Sequence, residues 1–356
     1  MKIKAAKNQI LKNKFIFIMF CLTFIFSLSG CVNQHPDKKT TSTEENRVSE
    51  SDNLSAEEKE TSTNNNTSAA ALSSMLDITD KSEKAAVEAA KEKVENLGRN
   101  PRIIATSPAT ADICDKLNID LVGVCSSTVS TLPSRYKNVK KIGTAMSPDM
   151  ELVSSVKPDW LLSPSSLQSD LQPKYKAIDT QWAFLNLKSV QGMYRSIHEL
   201  GIIFDREKEA DKLVNDFISF YKEYKKENKE KKHPKVLVLM GLPGSYIIAT
   251  PNSYVGNLVE LAGGENVYNN TKQEFLTVNT EDMKKKEPDV ILRAAHAMPE
   301  QVIKMFNDEF KTNDIWKHFE AVKNNKVYDL SYDKFGMSAT FKYKAALKEL
   351  KSILYK

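Results

Sequence analysis

Five histidines are few enough to weigh one by one. His35 falls in a polar stretch and His233 at the stop of a helical pattern, so both read as solvated. His198 and His318 lie in amphipathic helical patterns and read as surface or packing residues. His296 differs: it follows an apolar strand, 289–293, by an Ala-Ala step and precedes Met298-Pro299. In open α/β sheets ligands meet the chain beyond the carboxyl ends of strands, and an imidazole there can ligate a metal. The alternative is a loop histidine bonded to backbone. A second candidate is Met146, in Ile142-Gly-Thr-Ala-Met146-Ser-Pro148. A thioether is a soft, neutral ligand suited to haem iron opposite a histidine. By its residues alone, the favoured reading is that it is one of eleven methionines and packs.

A third candidate is Thr106-Ser107-Pro108-Ala109-Thr110. Ser or Thr before a proline at the first helical position leaves backbone N–H groups at a positive dipole end, which can hold a carboxylate. The 126–130 loop, with Ser127 and Thr128, adds hydroxyl donors. A plain capped helix is the competing account. Enzyme motifs are mostly absent. Gly241-Leu-Pro-Gly244-Ser245-Tyr246 lacks the following glycine of a nucleophile elbow, so a hydrolase acting through Ser245 is a weak rival. Ala262-Gly-Gly264 is not a dinucleotide fingerprint, and no phosphate-loop motif occurs.

These residues need a frame. Apolar runs alternate with amphipathic segments, which predicts an α/β chain. Strands are predicted over 102–106, 121–125, 160–163, 182–187, 235–240, 290–293 and 326–330. Helices are predicted to begin at Pro108, Pro148, Gln168, Ser189 and Tyr254, with another over 313–322 and a helical stretch at 85–90. Residues 205–232 contain no Gly or Pro, and their apolar residues fall on one helical face. That predicts one rod roughly 40 Å long, stopped by His233-Pro234. A weak repeat flanks it: Glu151 stands seven residues before Pro158-Asp159 and Glu281 seven before Pro288-Asp289, each leading into an apolar strand. The reading is two similar lobes joined by one helix.

The N-terminus speaks of location. Five lysines precede an apolar run, 15–28, and Leu28-Ser29-Gly30-Cys31 closes it. This is a lipoprotein-type signal rather than a membrane span, which needs about 20 apolar residues. Cys31 is the predicted lipidation site, and more than one acyl chain anchors stably. Residues 1–30 carry five of the 51 basic residues and none of the 46 acidic ones, so the remainder is neutral, 46 against 46. Nucleic acid thereby loses its electrostatic warrant as a partner. Residues 31–75 read as a polar tether, too poor in apolar surface to fold, with a reach of about 35 Å. Cys114 and Cys125 read as buried free thiols. The predicted organisation is signal 1–30, tether 31–75, first lobe 76–204 with a leading helix, connecting helix 205–233 and second lobe 234–356.

Several blocks in order carry a resemblance: Leu132-Pro-Ser-Arg-Tyr136, Ile142-Gly-Thr-Ala-Met146, Met240-Gly-Leu-Pro-Gly-Ser-Tyr246, Ser253-Tyr-Val-Gly256, Leu261-Ala-Gly-Gly-Glu-Asn266, His296-Ala-Met-Pro299 and Asp314-Ile-Trp-Lys-His-Phe319. With them the chain resembles the haem-receptor lipoproteins of the iron-regulated surface determinant system, a group of class III ABC-transporter solute-binding proteins. The resemblance implies a two-lobed, non-catalytic receptor with one long connecting helix and little hinge motion. It implies haem b held by a methionine of the first lobe and a histidine of the second, positions matched by Met146 and His296. Propionates would lie near Ser107, Pro108 and Ala109, with Ser127 and Thr128 in a loop that departs from the family pattern. Glu151 and Glu281 match the carboxylates that dock on the permease. The implied partners are haem, an ABC permease, an upstream haem-donor surface protein and the outer face of the bacterial cytoplasmic membrane, for a monomer. A ferric siderophore or cobalamin is the alternative cargo on the same fold.

Overall fold

The computed structural model describes residues 76–128 and 130–356. The signal, Cys31 and the tether lie outside the described residues. The first helix, α1 (Lys81–Glu95), is capped by Asp80, whose carboxylate accepts the N–H groups of Ser82 and Glu83. It is fastened to the body by an Arg195–Glu83 ion pair.

The first lobe alternates strand and helix: β1 (Ile103–Ala105), α2 (Pro108–Lys116), β2 (Gly123–Ser126), β3 (Lys140–Thr144), α3 (Met150–Ser155), β4 (Trp160–Pro164), α4 (Gln168–Tyr175) and β5 (Gln181–Leu185). All five strands are parallel, in the order β3-β2-β1-β4-β5. β1 and β4 are buried on both faces, as parallel strands covered by helices must be. α5 (Val190–Ile203) closes the lobe, capped by Ser189.

Asp205, with φ 55°, then turns the chain into α6 (Glu207–Asn228). This is the connecting helix, 22 residues, roughly 33 Å long. It ends sooner than the pattern over 205–232 predicts, because the last stretch, Lys229-Glu-Lys-Lys232, has no apolar side chain to bury. Its buried stripe is Ala210, Phe217, Tyr221 and Tyr224. Glu207 and Glu209 in the first turn and Lys225 and Lys226 in the last complement the helix dipole.

The second lobe has β6 (Lys235–Leu242), β7 (Ser245–Ala249), α7 (Tyr254–Leu261), β8 (Glu265–Asn266), β9 (Phe275–Leu276), α8 (Thr280–Lys285), β10 (Val290–Ala295), α9 (Pro299–Thr312), α10 (Glu320–Lys323), β11 (Val327–Asp329) and α11 (Tyr343–Leu354). Its sheet runs β11-β10-β6-β7-β9, with β7 antiparallel to its neighbours. The Gly241–Tyr246 block is therefore a hairpin between β6 and β7, turned at Pro243-Gly244, where Gly244 has φ 82°. The predicted helix over 313–322 is corrected to a 3₁₀ turn, Asp314–His318, followed by one turn of α-helix. Asn313 caps it, and the side chains of Trp316 and Phe319 both turn inward. Cys114 and Cys125 are buried and unpaired.

The sequence repeat is a structural one. Asp159 accepts the N–H of Arg102 at 2.6 Å and its own N–H donates to the Arg102 carbonyl at 2.8 Å. Asp289 does the same to Lys235, at 2.8 Å both ways. Each aspartate thus pins the start of its strand to the start of its neighbour. A bidentate Arg99 ion pair further holds Asp159. Charge-assisted bonds to backbone are worth about 1.5–3 kcal/mol. Asp159→Ala is therefore expected to cost about 2 kcal/mol in urea unfolding and the more exposed Asp289→Ala about 1 kcal/mol.

The first lobe, the connecting helix and the chain's last helix meet in one aromatic cluster. Tyr194 of α5 stacks on Phe217 of α6, centroids 4.5 Å apart, and Tyr343 of α11 packs edge-on to both. The Tyr194 and Tyr343 hydroxyls are 3.1 Å apart. Past β5, Val190 donates its N–H to Asn257, Ala339 donates to the Leu187 carbonyl and Lys188 pairs with Glu274. These bonds join the two lobes beside the helix.

Candidate functional site

The first lobe's candidates share one sheet edge. Because β1, β2 and β3 are parallel, the segments after them emerge at the same, carboxyl edge. Ala105 is in register with Val124 and Ser126 with Thr144, so Ser107, Ser127-Thr128 and Met146 follow in a row across three adjacent strands.

Met146 tops a tight loop. Gly143 bridges to Pro148, and the Asp149 N–H donates to the Ile142 carbonyl at 2.8 Å. Gly143 has φ 93°, and a Cβ there would lie 2.8 Å from the Ser147 carbonyl oxygen, so the loop closes only with glycine. The result is a thioether 67% exposed, the most exposed large apolar side chain among the described residues.

Ser107 and Thr110 form a reciprocal cap: the Ser107 hydroxyl accepts the Thr110 N–H at 3.1 Å, and the Thr110 hydroxyl accepts the Ser107 N–H at 3.0 Å. Pro108 has no N–H, so Ala109 carries the first-turn donor that neither the cap nor the helix uses. The Ser107 hydroxyl serves the cap, and Ser107 is buried. Ser127 accepts the Ser130 N–H, and Thr128 is exposed.

In the second lobe, β10 lies between β11 and β6 and ends at Ala295. His296 is the next residue, at the carboxyl edge, its N–H donating to the Gly241 carbonyl at 2.9 Å. A Cβ on Gly241 would meet Val302 Cγ1 at 2.3 Å and Phe306 Cε2 at 2.7 Å. Glycine there lets α9 settle on the end of β6 and holds the helix start beside His296. The imidazole is half-buried, and burial lowers its pKa from the usual 6.5. A neutral ring is the form that ligates a metal. In the unligated protein His296 is expected to titrate below pH 6.5 by imidazole chemical shift. The unfolded chain takes up that proton first, so His296 costs stability as pH falls from 6.5 to the folded pKa and no further.

A cavity of about 240 Å³ adjoins this edge, bordered by Arg293, Ala295, Pro299, Ile303, Leu330 and Tyr332. Arg293 is buried in a bidentate pair with Asp329 and is thereby spoken for. A larger groove, about 650 Å³, lies between the β6–β7 hairpin and the α9 face bearing Gln301, Met305 and Asp308. It includes Ser245 but none of the candidate ligands and no histidine. Glu151 and Glu281 each occupy the second position of a short capped helix, exposed, after Asp149 and Asn279 caps. No group of three or more His, Cys, Asp or Glu side chains able to hold a bare metal ion occurs among the described residues. Sequence reasoning placed Met298 only as a flanking residue; its left-handed backbone, φ 47°, and 50% exposure appear in the folded chain alone.

Two α/β lobes joined by one helix, with unspent polar and thioether groups at the strand ends, define a two-lobed solute-binding protein. The chain belongs to the periplasmic binding protein family, which matches residues 103–333, and within it to the IsdE group. It is 46% identical over 258 residues to the high-affinity heme uptake system protein IsdE of Staphylococcus aureus strain Newman, covering 72% of this chain and 87% of that protein. The crystal structure of S. aureus IsdE complexed with heme is similar at 44% identity and TM-score 0.69, over 72% of this chain and all of that one. An ABC-transporter substrate-binding protein of Listeria monocytogenes EGD-e is similar at 49% identity and TM-score 0.69, over 72% and 99%.

Proposed function

We propose that this chain is a haem receptor that binds haem b between its lobes and passes it, without catalysis, to an ABC permease. The observation that carries the reading is the pair of donors: an exposed thioether at one sheet's carboxyl edge and a half-buried imidazole at the other's. Neither donor brings charge, so ferric haem would keep its own charge balance with its propionates. The 46% identity to IsdE and the heme complex of that relative support it. The chain's part is to bind and orient. Met146 and His296 would take the two axial positions, and the Ala109 N–H at the α2 start would receive a propionate, with Thr128 beside it. Ser107 would act by shaping that start, and Ser127 by holding the 126–130 loop. Cys31 would carry the lipid anchor at the outer face of the cytoplasmic membrane, and Glu151 and Glu281 would meet the permease. The receptor would work as a monomer loaded by a haem-donor surface protein.

Purified protein titrated with haemin is expected to saturate at one equivalent with the absorption of low-spin, six-coordinate iron. Tight binding of a ferric siderophore or cobalamin with no haem spectrum would overturn the reading.

A further inference from the structure

Among the described residues, six other than glycine have positive φ. Asn118, Asp205 and Asn325 are of the types that tolerate it. Lys157 and Glu287 stand one position beyond the C-caps of α3 and α8, where helices commonly end left-handed. Met298 fits neither case. It precedes a helix, caps α9 without any side-chain bond, and is apolar and half exposed. Strain of this kind persists where function uses it.

Its surroundings indicate the use. Met298 is two residues from His296, and the strained backbone leads directly into Pro299. Ile303, in the second turn of α9, is 37% exposed and borders the cavity beside β10 together with Pro299. Met146, Met298 and Ile303 are the large apolar side chains left exposed among the described residues. Two of the three therefore lie on the segment that follows His296, one in its loop and one in the helix that the loop opens.

The geometry points to Met298, with Ile303, as an apolar shelf that receives the porphyrin ring on the His296 side and so slows haem loss. This rests on the haem reading above. Met298 is a positioning residue and not an iron ligand. Trans ligands stand on opposite faces of the ring, whereas residues two apart on one loop, at most about 7 Å between Cα atoms, reach the same face. A thioether against an aromatic ring is a favourable contact, and the ring would cover surface now in water.

The test is haem transfer to excess apomyoglobin, followed by absorbance, with the unfolding midpoint of each haem-free protein. Met298→Ala is expected to release haem about 5–10-fold faster with its low-spin spectrum unchanged, and Met298→Leu within about 2-fold of wild type. Met298→Gly is expected to release haem as fast as Met298→Ala while its haem-free midpoint rises by about 2 °C, because glycine relieves the left-handed backbone. Wild-type release from haem-loaded Met298→Ala would overturn the shelf alone. A lowered haem-free midpoint in Met298→Gly would also overturn it, by showing that Met298 serves the fold. Wild-type protein that retains no haem would overturn the haem reading and the shelf with it.

Discussion

His296→Ala protein mixed with haemin is expected to lose the six-coordinate spectrum and to hold haem on the order of 100-fold more weakly. Changing a group that merely orients a metal ligand typically costs 10–100-fold, so removing the ligand itself costs at least that. Met146→Ala is expected to fall less far. It leaves the nitrogen ligand, and a neutral thioether is the softer, weaker donor to ferric iron. Its spectrum is expected to move to five-coordinate, high-spin iron. The order of the two losses is a consequence of structure as well as of ligand chemistry. His296 is anchored at the end of a central strand through its bond to Gly241, whereas Met146 tops an exposed loop. Absorption and magnetic circular dichroism of both variants decide the matter, and unchanged spectra in both would remove the ligand assignment.

The second large effect is on stability. Phe217→Ala is expected to cost about 3–5 kcal/mol in urea unfolding, the usual range for deleting a fully buried aromatic. Phe217 has no substitute at its place: it stacks on Tyr194 from one lobe's closing helix and meets Tyr343 from the chain's last helix. A loss under about 1 kcal/mol would mean that the neighbours close over the vacancy. The same change is expected to speed haem release, because the cluster holds the helices that fix one lobe against the other. Ligands donated from two lobes retain a flat cargo only if the lobes keep their places.

Much of the frame was legible in the residues. The periodicity over 205–232 revealed the connecting helix because one apolar stripe needs only local spacing. Its end was misplaced by four residues, since the polar tail continued the helical composition without anything to bury. The repeated Pro-Asp was visible, but its work was not. That Asp159 and Asp289 bind the strand beside their own is a contact across 57 and 54 residues, which no local pattern encodes. The hairpin at Pro243-Gly244 is masked in sequence by its partial likeness to a catalytic glycine motif, and the 3₁₀ turn at 314–318 by a helical spacing.

The two proposed ligand positions divide in the same way. Residue type and place after a strand singled out His296, and chemistry alone made Met146 a candidate. Charge bookkeeping over 1–30 leaves the remainder neutral, which takes away the electrostatic warrant for nucleic acid from sequence alone. Only the tertiary structure showed Met146 to be exposed, His296 to be half-buried with its pKa lowered by that burial, and Met298 to be strained. Exposure, desolvation and backbone strain belong to the packed chain: each is set by what lies beside a residue in space. Residue chemistry and periodicity are local and survive in the sequence. The neighbours that leave a thioether exposed and an imidazole half-buried are brought there by two sheets and one helix.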